Sequence, residues 1–327
     1  MKLSEFLEIS PDNHEIANAF AKTQQYLAKC ERAQCSISGG ADSDVMLDIV
    51  TKADEENKVT YVFFNTGIEY EATKKHLKYL QEKYGIEIKE YKAKAPVPLA
   101  CRKHGQPFLS KYISEVISRL QRHGFKWENE PFEELYKKYP KCKSALRWWC
   151  NEHGERSKFN INYSPYLKEF MIENPPDFII SNKCCNYAKK HVAKEALKEE
   201  ACDLAMVGVR KAEGGVRGAA YKSCFSDATA KNVANFRPLF WFTNADKREY
   251  ENIFDVTHSE CYTKYGLDRT GCAGCPFGKD FEKELEIIKE FEPKLYTAVN
   301  NIFGKSYEYT RKYYAYRKEA KEREKGV

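Results

Sequence analysis

Two short runs of apolar positions, each closing on a polar turn that carries glycine, set the pattern of the first hundred residues. Ala33 to Ile37 is the first; it overlaps the stretch S-I-S-G-G-A-D-S at Ser36–Ser43, after which Asp44-Val-Met-Leu-Asp-Ile-Val50 continues at helix-compatible spacing. Val59 to Phe64 (VTYVFF) is the second, and it ends in Asn65-Thr66-Gly67 ahead of a helix expected from about Glu71 to Tyr84. Continuous runs dense in β-branched and aromatic residues suit parallel strands buried on both faces. Upstream, Ile16, Ala17, Phe20, Ala21, Tyr26 and Leu27 recur at helical spacing and predict an opening helix within 13–32. Ile86–Tyr91 predicts a third strand. Asp177–Ile180 and Leu204–Val209 predict returning strands, with a helix between about Tyr187 and Glu200. Strands alternating with helices at this spacing predict βαβ units and an α/β fold with a doubly wound, mostly parallel sheet. Ligands of such sheets bind at the carboxyl ends of the strands, where the two glycine turns fall.

The pattern changes over residues 95–175. Aromatic and basic positions interleave there (Phe125, Trp127, Arg147, Trp148, Trp149), which predicts a helical insertion that covers the site or builds a partner surface. Such interleaving can hold nucleic acid, and it equally makes an ordinary packed face with a solvated rim. The expected organisation is a nucleotide-binding α/β domain over 1–240 containing that insertion, then a helical C-terminal portion over 241–327. The chain finishes in a basic run, Lys312 to Lys325, read as a solvated helix end.

Composition narrows the class. The 327 residues are 42% hydrophobic and 31% charged, as in soluble globular proteins. No apolar run reaches the roughly 18–20 residues of a membrane span, and the opening MKLSEFLEIS lacks a signal-peptide pattern, so the expected location is cytoplasmic. A net charge of +6 suits small anionic ligands and permits nucleic acid. Twelve cysteines without an export signal are not read as a secretory disulfide framework; paired ones are expected to ligate metal or do redox work.

Four stretches carry candidate chemistry. In the first turn, Gly39 and Gly40 let the backbone approach a ligand, Ser38 and Ser43 add hydroxyls, and the N–H groups of a helix start favour an anion such as phosphate or sulfate. Gly208-Val-Arg-Lys-Ala-Glu-Gly-Gly-Val-Arg217 follows a predicted strand, and its Arg210 and Arg217 offer guanidinium forks that match an oxyanion. Cys184 and Cys185 are adjacent, and Cys272-Ala-Gly-Cys275 is a C-x-x-C loop. Thiols in such loops ligate zinc or iron–sulfur clusters. Neighbouring side chains diverge, which suits two irons of a [4Fe–4S] cluster better than one zinc ion; a redox dithiol at Cys272 and Cys275 ranks third. Cys261 is a replacement ligand, while Cys30, Cys35, Cys202 and Cys224 read as small buried hydrophobes.

Together these stretches resemble the phosphoadenosine/adenosine phosphosulfate reductase family, within the PP-loop group of adenine-nucleotide α-hydrolase-like enzymes, in its iron–sulfur-bearing branch. S-G-G-A-D-S at 38–43 is similar to the PP-loop S-G-G-x-D-S, Asn65-Thr-Gly67 to D-T-G, and the 208–217 stretch to G-x-R-x-x-E-S-x-x-R. K-C-C at 183–185 with R-T-G-C-A-G-C-P at 269–276 is similar to the family's cluster-ligand set. The resemblance implies a Rossmann-like PP-loop fold. It implies that Ser38, Gly39, Gly40, Asp42 and Ser43 hold phosphate or sulfate, that Thr66 and Gly67 flank the nucleotide, and that Arg210 and Arg217 bind its anionic end. It also implies a [4Fe–4S] cluster on Cys184, Cys185, Cys272 and Cys275. Ala41, Asn65, Ala72 and Gly214 depart from the family's lysine, aspartate, glutamate and serine. After Cys275 there is no cysteine, whereas family reductases carry a nucleophilic one in a terminal E-C-G-x-H segment.

Three functions follow from the resemblance. The first is an iron–sulfur sulfurtransferase that binds ATP with Mg²⁺ and activates an acceptor, nucleic acid or small molecule, by adenylation. The second is a sulfonucleotide reductase that makes sulfite from adenylyl sulfate or its 3′-phosphorylated form with thioredoxin; a thiol from Cys101, Cys142 or Cys150 would then replace the missing one. The third is a non-catalytic nucleotide sensor with a structural cluster. Expected partners are an adenine nucleotide, a sulfur-donor protein or thioredoxin, and a second copy in a homodimer, with no membrane.

Overall fold

The structure, a computed structural model, describes residues 1–9, 12–214, 220–278 and 280–325. The chain opens with α1 (Leu3–Ile9), α2 (His14–Lys29), β1 (Ala33–Ile37), α3 (Ala41–Ala53), β2 (Val59–Asn65), α4 (Glu71–Tyr84) and β3 (Ile88–Lys92). The insertion follows: α5 (Val97–His104), α6 (Lys111–Arg122), α7 (Phe132–Lys138), α8 (Lys143–Trp149), α9 (Leu167–Glu173) and the single turn α10 (Lys183–Cys185). Then come α11 (His191–Glu199), β4 (Leu204–Val207), β5 (Phe225–Ser226), β6 (Ala234–Phe236), α12 (Asn244–Phe254) and α13 (Glu260–Thr263). Two helices end the chain, α14 (Phe281–Phe291) and α15 (Pro293–Lys325).

The chain forms two compact units, one from Met1–Lys94 with Ala188–Ala273, the other from Ala95–Tyr187 with Gly274–Val327. This division by compactness is drawn differently from the expected boundary at residue 240, and the expected insertion falls wholly in the second unit.

The first unit is an α/β layer structure around one sheet of order β3-β2-β1-β4-β6-β5, with helices on both faces. All neighbouring strands run parallel except β5 and β6. Central β1 pairs Cys35 with Tyr61 of β2 and with Met206 of β4. Successive connections thus leave β1 in opposite directions, and the turns after β1 and β4 meet at the point where the strand order reverses, the usual ligand crevice of open α/β sheets.

Local sequence explains the centre. In α3, Val45, Met46, Leu47, Ile49 and Val50 are fully buried, so this helix is apolar on nearly every side and lies inside the unit. It also carries Asp44 and Asp48 into the core, where a carboxylate is tolerated only with partners. Asp48 accepts hydrogen bonds from the hydroxyls of Tyr84 (2.9 Å) and Tyr250 (2.6 Å) and pairs with Lys52.

One strand expectation is corrected. Asp177–Ile180 is not a strand of the sheet; Ile180 forms an isolated parallel bridge with Gln106 inside the second unit. Gln106 N–H donates to Ile179 O (2.9 Å) and Ser181 N–H to Gln106 O (2.8 Å). Gly105 makes this close approach feasible: its φ is +97°, and a Cβ there would run into the Ile179 carbonyl. The core of this unit gathers Phe108, Trp148, Trp149, Phe170 and Tyr313 among others, with α15 supplying the last.

Candidate functional site

The first glycine turn closes tightly after β1. Gly39 has φ +66°, and a Cβ there would stand 2.8 Å from Thr73 Cγ2, so only glycine fits without displacement. Gly40 caps α3. Ser43 Oγ accepts from the N–H groups of Gly40 (3.1 Å) and Ser38 (3.3 Å) and donates to Gly40 O (2.8 Å). Ser38 Oγ donates to Ser43 Oγ at 3.1 Å. Ser38, Gly39, Gly40 and Ser43 are therefore brought together in one hydrogen-bonded turn. Above them reaches a residue the sequence reading missed: Tyr262 Oη accepts from Ala41 N–H at 3.1 Å and from Thr270 N–H at 3.2 Å. Burial pushes this phenol's pKa up, so it stays neutral.

After β4 the chain passes against the turn. A Cβ on Gly208 would meet Asp42 O at 3.1 Å and Ser43 Cα at 3.3 Å. Arg210 is buried, and its guanidinium donates from Nε to Asp42 Oδ1 (2.9 Å) and from Nη1 to Asn244 Oδ1 (3.0 Å). The structure thus joins two expected anion-binding residues to each other. Burial raises the Asp42 pKa, opposed by Arg210 and Lys247. Arg217 lies outside the described residues. At the second turn, Thr66 N–H and Oγ1–H donate to Glu69 Oε1 (2.6 and 2.5 Å) and Gly67 N–H to Glu69 Oε2 (3.0 Å). These donors hold a carboxylate of the chain itself.

Under the first turn lies a charged network that no local motif announces. Asp44, fully buried, faces His76 Nε2 and His258 Nδ1 through Oδ2, each at 3.0 Å, while its Oδ1 has no hydrogen-bond partner. His258 Nε2 lies 2.7 Å from Glu251 Oε1, and Glu251 pairs with Lys247. Burial alone would lower the His258 pKa; the hydrogen bonds to Asp44 and Glu251 prevail and lift it to about 9.

The cysteines distribute between the units. Cys272 belongs to the first, where its Sγ lies 3.6 Å from Thr66 Oγ1 and the next residue, Ala273, donates N–H to Ile68 O at 3.1 Å. Cys184, Cys185 and Cys275 belong to the second. There α10 packs on α5, and the Cys184 thiol is hydrogen-bonded to Cys101 and Cys185 with Cys275 in electrostatic reach. The contact with Cys101, helped by burial, holds the Cys184 thiol's pKa well above its ordinary range. Gly274 (φ +60°) fixes the Cys275 loop: its N–H donates to Glu284 Oε1 at 3.0 Å, and its carbonyl accepts from Tyr307. Of the other insertion thiols, Cys142 and Cys150 face the carbonyls of Arg119 and Glu130. Cys30, Cys35, Cys202, Cys224 and Cys261 are buried; Cys261 Sγ lies 3.7 Å from Thr73 Oγ1 in the first unit.

Soft thiol donors suit iron, and Cys101, Cys184, Cys185 and Cys275 supply four within one unit. Among the described residues no three carboxylate, imidazole or thiol groups converge as a site for one metal ion.

Glycine turns of this kind at the switch point of a mostly parallel sheet define a Rossmann-like α/β protein of the PP-loop type. The chain belongs to the phosphoadenosine phosphosulfate reductase domain family, whose model matches residues 32–141 and 110–277. It is 25% identical over 292 residues to an uncharacterized protein of Methanocaldococcus jannaschii, covering 89% of this chain and 45% of that one; the chain thus spans under half of that relative's length. Solved structures with loose likeness include a phosphoadenylyl-sulfate reductase from Candida auris in complex with phosphate (14% identity, 83% and 93% coverage, TM-score 0.44). Another is a U34-tRNA thiolase from Methanococcus maripaludis with its [4Fe-4S] cluster (14%, 92% and 79%, TM-score 0.37). A third is an NH3-dependent NAD synthetase from Campylobacter jejuni in complex with nitrate (11%, 94% and 96%, TM-score 0.37). No described helix is long and apolar enough to cross a membrane.

Proposed function

We propose that the protein is a sulfurtransferase that binds ATP at the turn after β1, activates its acceptor by adenylation, and carries an iron–sulfur cluster on thiols of the second unit. The observation that carries the reading is the close approach of Gly208 to Asp42, which sets the turns after β1 and β4 side by side at the sheet's switch point. Family membership supports an adenine nucleotide there. In the reaction an acceptor oxygen attacks the α-phosphorus of ATP, which enters as its Mg²⁺ complex, and pyrophosphate leaves. A sulfur nucleophile then displaces AMP from the adenylated acceptor. The N–H groups and hydroxyls of Ser38–Ser43 would hold the departing phosphates, with Thr66 and Gly67 beside the nucleotide and Arg210 orienting Asp42. Bound iron supplies thiophilic Lewis acidity.

The test is pyrophosphate release from ATP in the presence of transfer RNA, single-stranded DNA or small-molecule acceptors. Stimulated release is expected. ATP binding with no release for any acceptor class would remove the adenylation reading.

A second reading, a sulfonucleotide reductase, is favoured by the Cys272 thiol beside Thr66. Its thiolate would attack the sulfuryl sulfur of adenylyl sulfate, expelling AMP, and thioredoxin would reduce the resulting S-sulfocysteine to release sulfite. Sulfite formation in a thioredoxin-coupled assay would select it.

A further inference from the structure

We infer that Thr270, together with the Ala41 amide, binds a phosphate oxygen of the nucleotide, and that the Tyr262 hydroxyl occupies this oxygen's place and is displaced by it. The inference rests on the reading of the turn after β1 as a nucleotide site, and adds to that site one direct contact and one competitor. Three hydroxyls converge on the turn. A Cβ placed on Gly40 would stand 3.1 Å from Thr270 Oγ1, 3.2 Å from Ser38 Oγ and 3.3 Å from Tyr262 Oη, so the glycine leaves a hydroxyl-lined cradle. In it Tyr262 Oη accepts from Ala41 N–H (3.1 Å) and Thr270 N–H (3.2 Å), and it shares a 3.0 Å hydrogen bond with Thr270 Oγ1. The two amides fill the acceptor side of the phenol, so its own proton goes to Thr270. Two N–H groups and a hydroxyl around one oxygen are the donor set of an oxyanion site. A phosphate oxygen accepts from all three once the Thr270 hydroxyl turns toward it. Charge then favours the exchange. Ala41 opens α3, whose first amides carry partial positive charge, and burial keeps the phenol neutral where phosphate is anionic.

The segment that carries both residues belongs to the same unit as the turn and is pinned beside it. At one end Cys261 Sγ lies 3.7 Å from Thr73 Oγ1, the residue whose methyl group stands against Gly39. At the other, Ala273 N–H donates to Ile68 O at 3.1 Å, and between them Leu267 N–H closes back on Cys261 O at 2.9 Å. With the backbone held at these points, the exchange asks only the Tyr262 ring to turn away. Tyr262 and Thr270 are both half-buried, so a nucleotide can reach them from solvent.

The experiment is calorimetric titration of ATP into full-length protein, wild type against Tyr262→Phe, Thr270→Val and Thr270→Ser, with urea unfolding to verify that each variant folds. Tyr262→Phe keeps the ring and removes the competing oxygen, so it is expected to bind ATP about threefold more tightly or better. Thr270→Val, which loses a hydrogen bond to a charged oxygen, is expected to bind roughly tenfold more weakly, and Thr270→Ser to stay near wild type. Mere damage to the turn would weaken binding in both Tyr262→Phe and Thr270→Val, so the opposite signs separate the two accounts. Unchanged or weaker binding by Tyr262→Phe, or wild-type affinity in Thr270→Val, overturns the inference while the nucleotide reading stands. ATP binding by neither wild type nor Tyr262→Phe overturns both. Should Thr270→Val not fold, the Tyr262→Phe result decides alone.

Discussion

Gly39 shows how much of the site depends on one missing methyl group. Its φ of +66° costs a side-chain-bearing residue about 1–2 kcal/mol, and a Cβ would also stand 2.8 Å from Thr73 Cγ2. Gly85 has nearly the same φ (+61°) with nothing within 4 Å. Gly39→Ala is therefore expected to lower the urea midpoint clearly more than Gly85→Ala, and equal losses would show that Thr73 yields freely. His258 makes a second residue-scale prediction. Its folded pKa of about 9 exceeds the ordinary 6.5, so its contribution to stability is fully present below pH 6.5 and fades as pH rises through about 9. The groups facing it are Asp44 and Glu251, with His76 and Lys247 on those carboxylates. The stability difference between wild type and His258→Gln, measured by urea titration across pH 6–10, is expected to shrink with rising pH; a constant difference would exclude a charged imidazole.

Between elements, the decisive contact is that of β4 with the start of α3. Gly208→Ala would set a Cβ 3.1 Å from Asp42 O, a backbone atom that cannot swing aside, and overpacking of this kind costs about 1–3 kcal/mol. Weaker ATP binding by calorimetry is expected along with a lower melting temperature, and unchanged binding would separate the β4 turn from the nucleotide. Legibility in sequence also divides at this scale. β1, β2 and α4 are announced by their own runs and end where the pattern ends. β5 and β6 span two and three residues, too few to show a period. Asp177–Ile180 reads as a strand because it is apolar, yet its partner Gln106 is supplied by the fold of the second unit. The glycine turns are legible as motifs for the same reason that β1 is: their residues are contiguous. The Asp44–His258 contact joins residues 214 apart, and Cys101 meets Cys184 through two helices, so neither leaves a trace in local spacing.

At the scale of the whole chain, neither compact unit is a continuous segment. Residues beyond 240 complete the core of the first: Tyr250 and Val256 are buried in it, Tyr250 bonds Asp48, and His258 bonds Asp44. A fragment ending at residue 240 is thus expected to lack a cooperative thermal transition by circular dichroism, and sharp melting of that fragment would refute this account. The interleaving also has a temporal side. On the ribosome β1 to β3 emerge first, and the stretch from 95 to 187 must pass before β4 can be made. At about 5–20 residues per second that is a delay of roughly 5–20 s, during which one edge of β1 waits for a neighbour. Nascent β1, with that edge open, is accordingly the strand expected to need a chaperone's shelter.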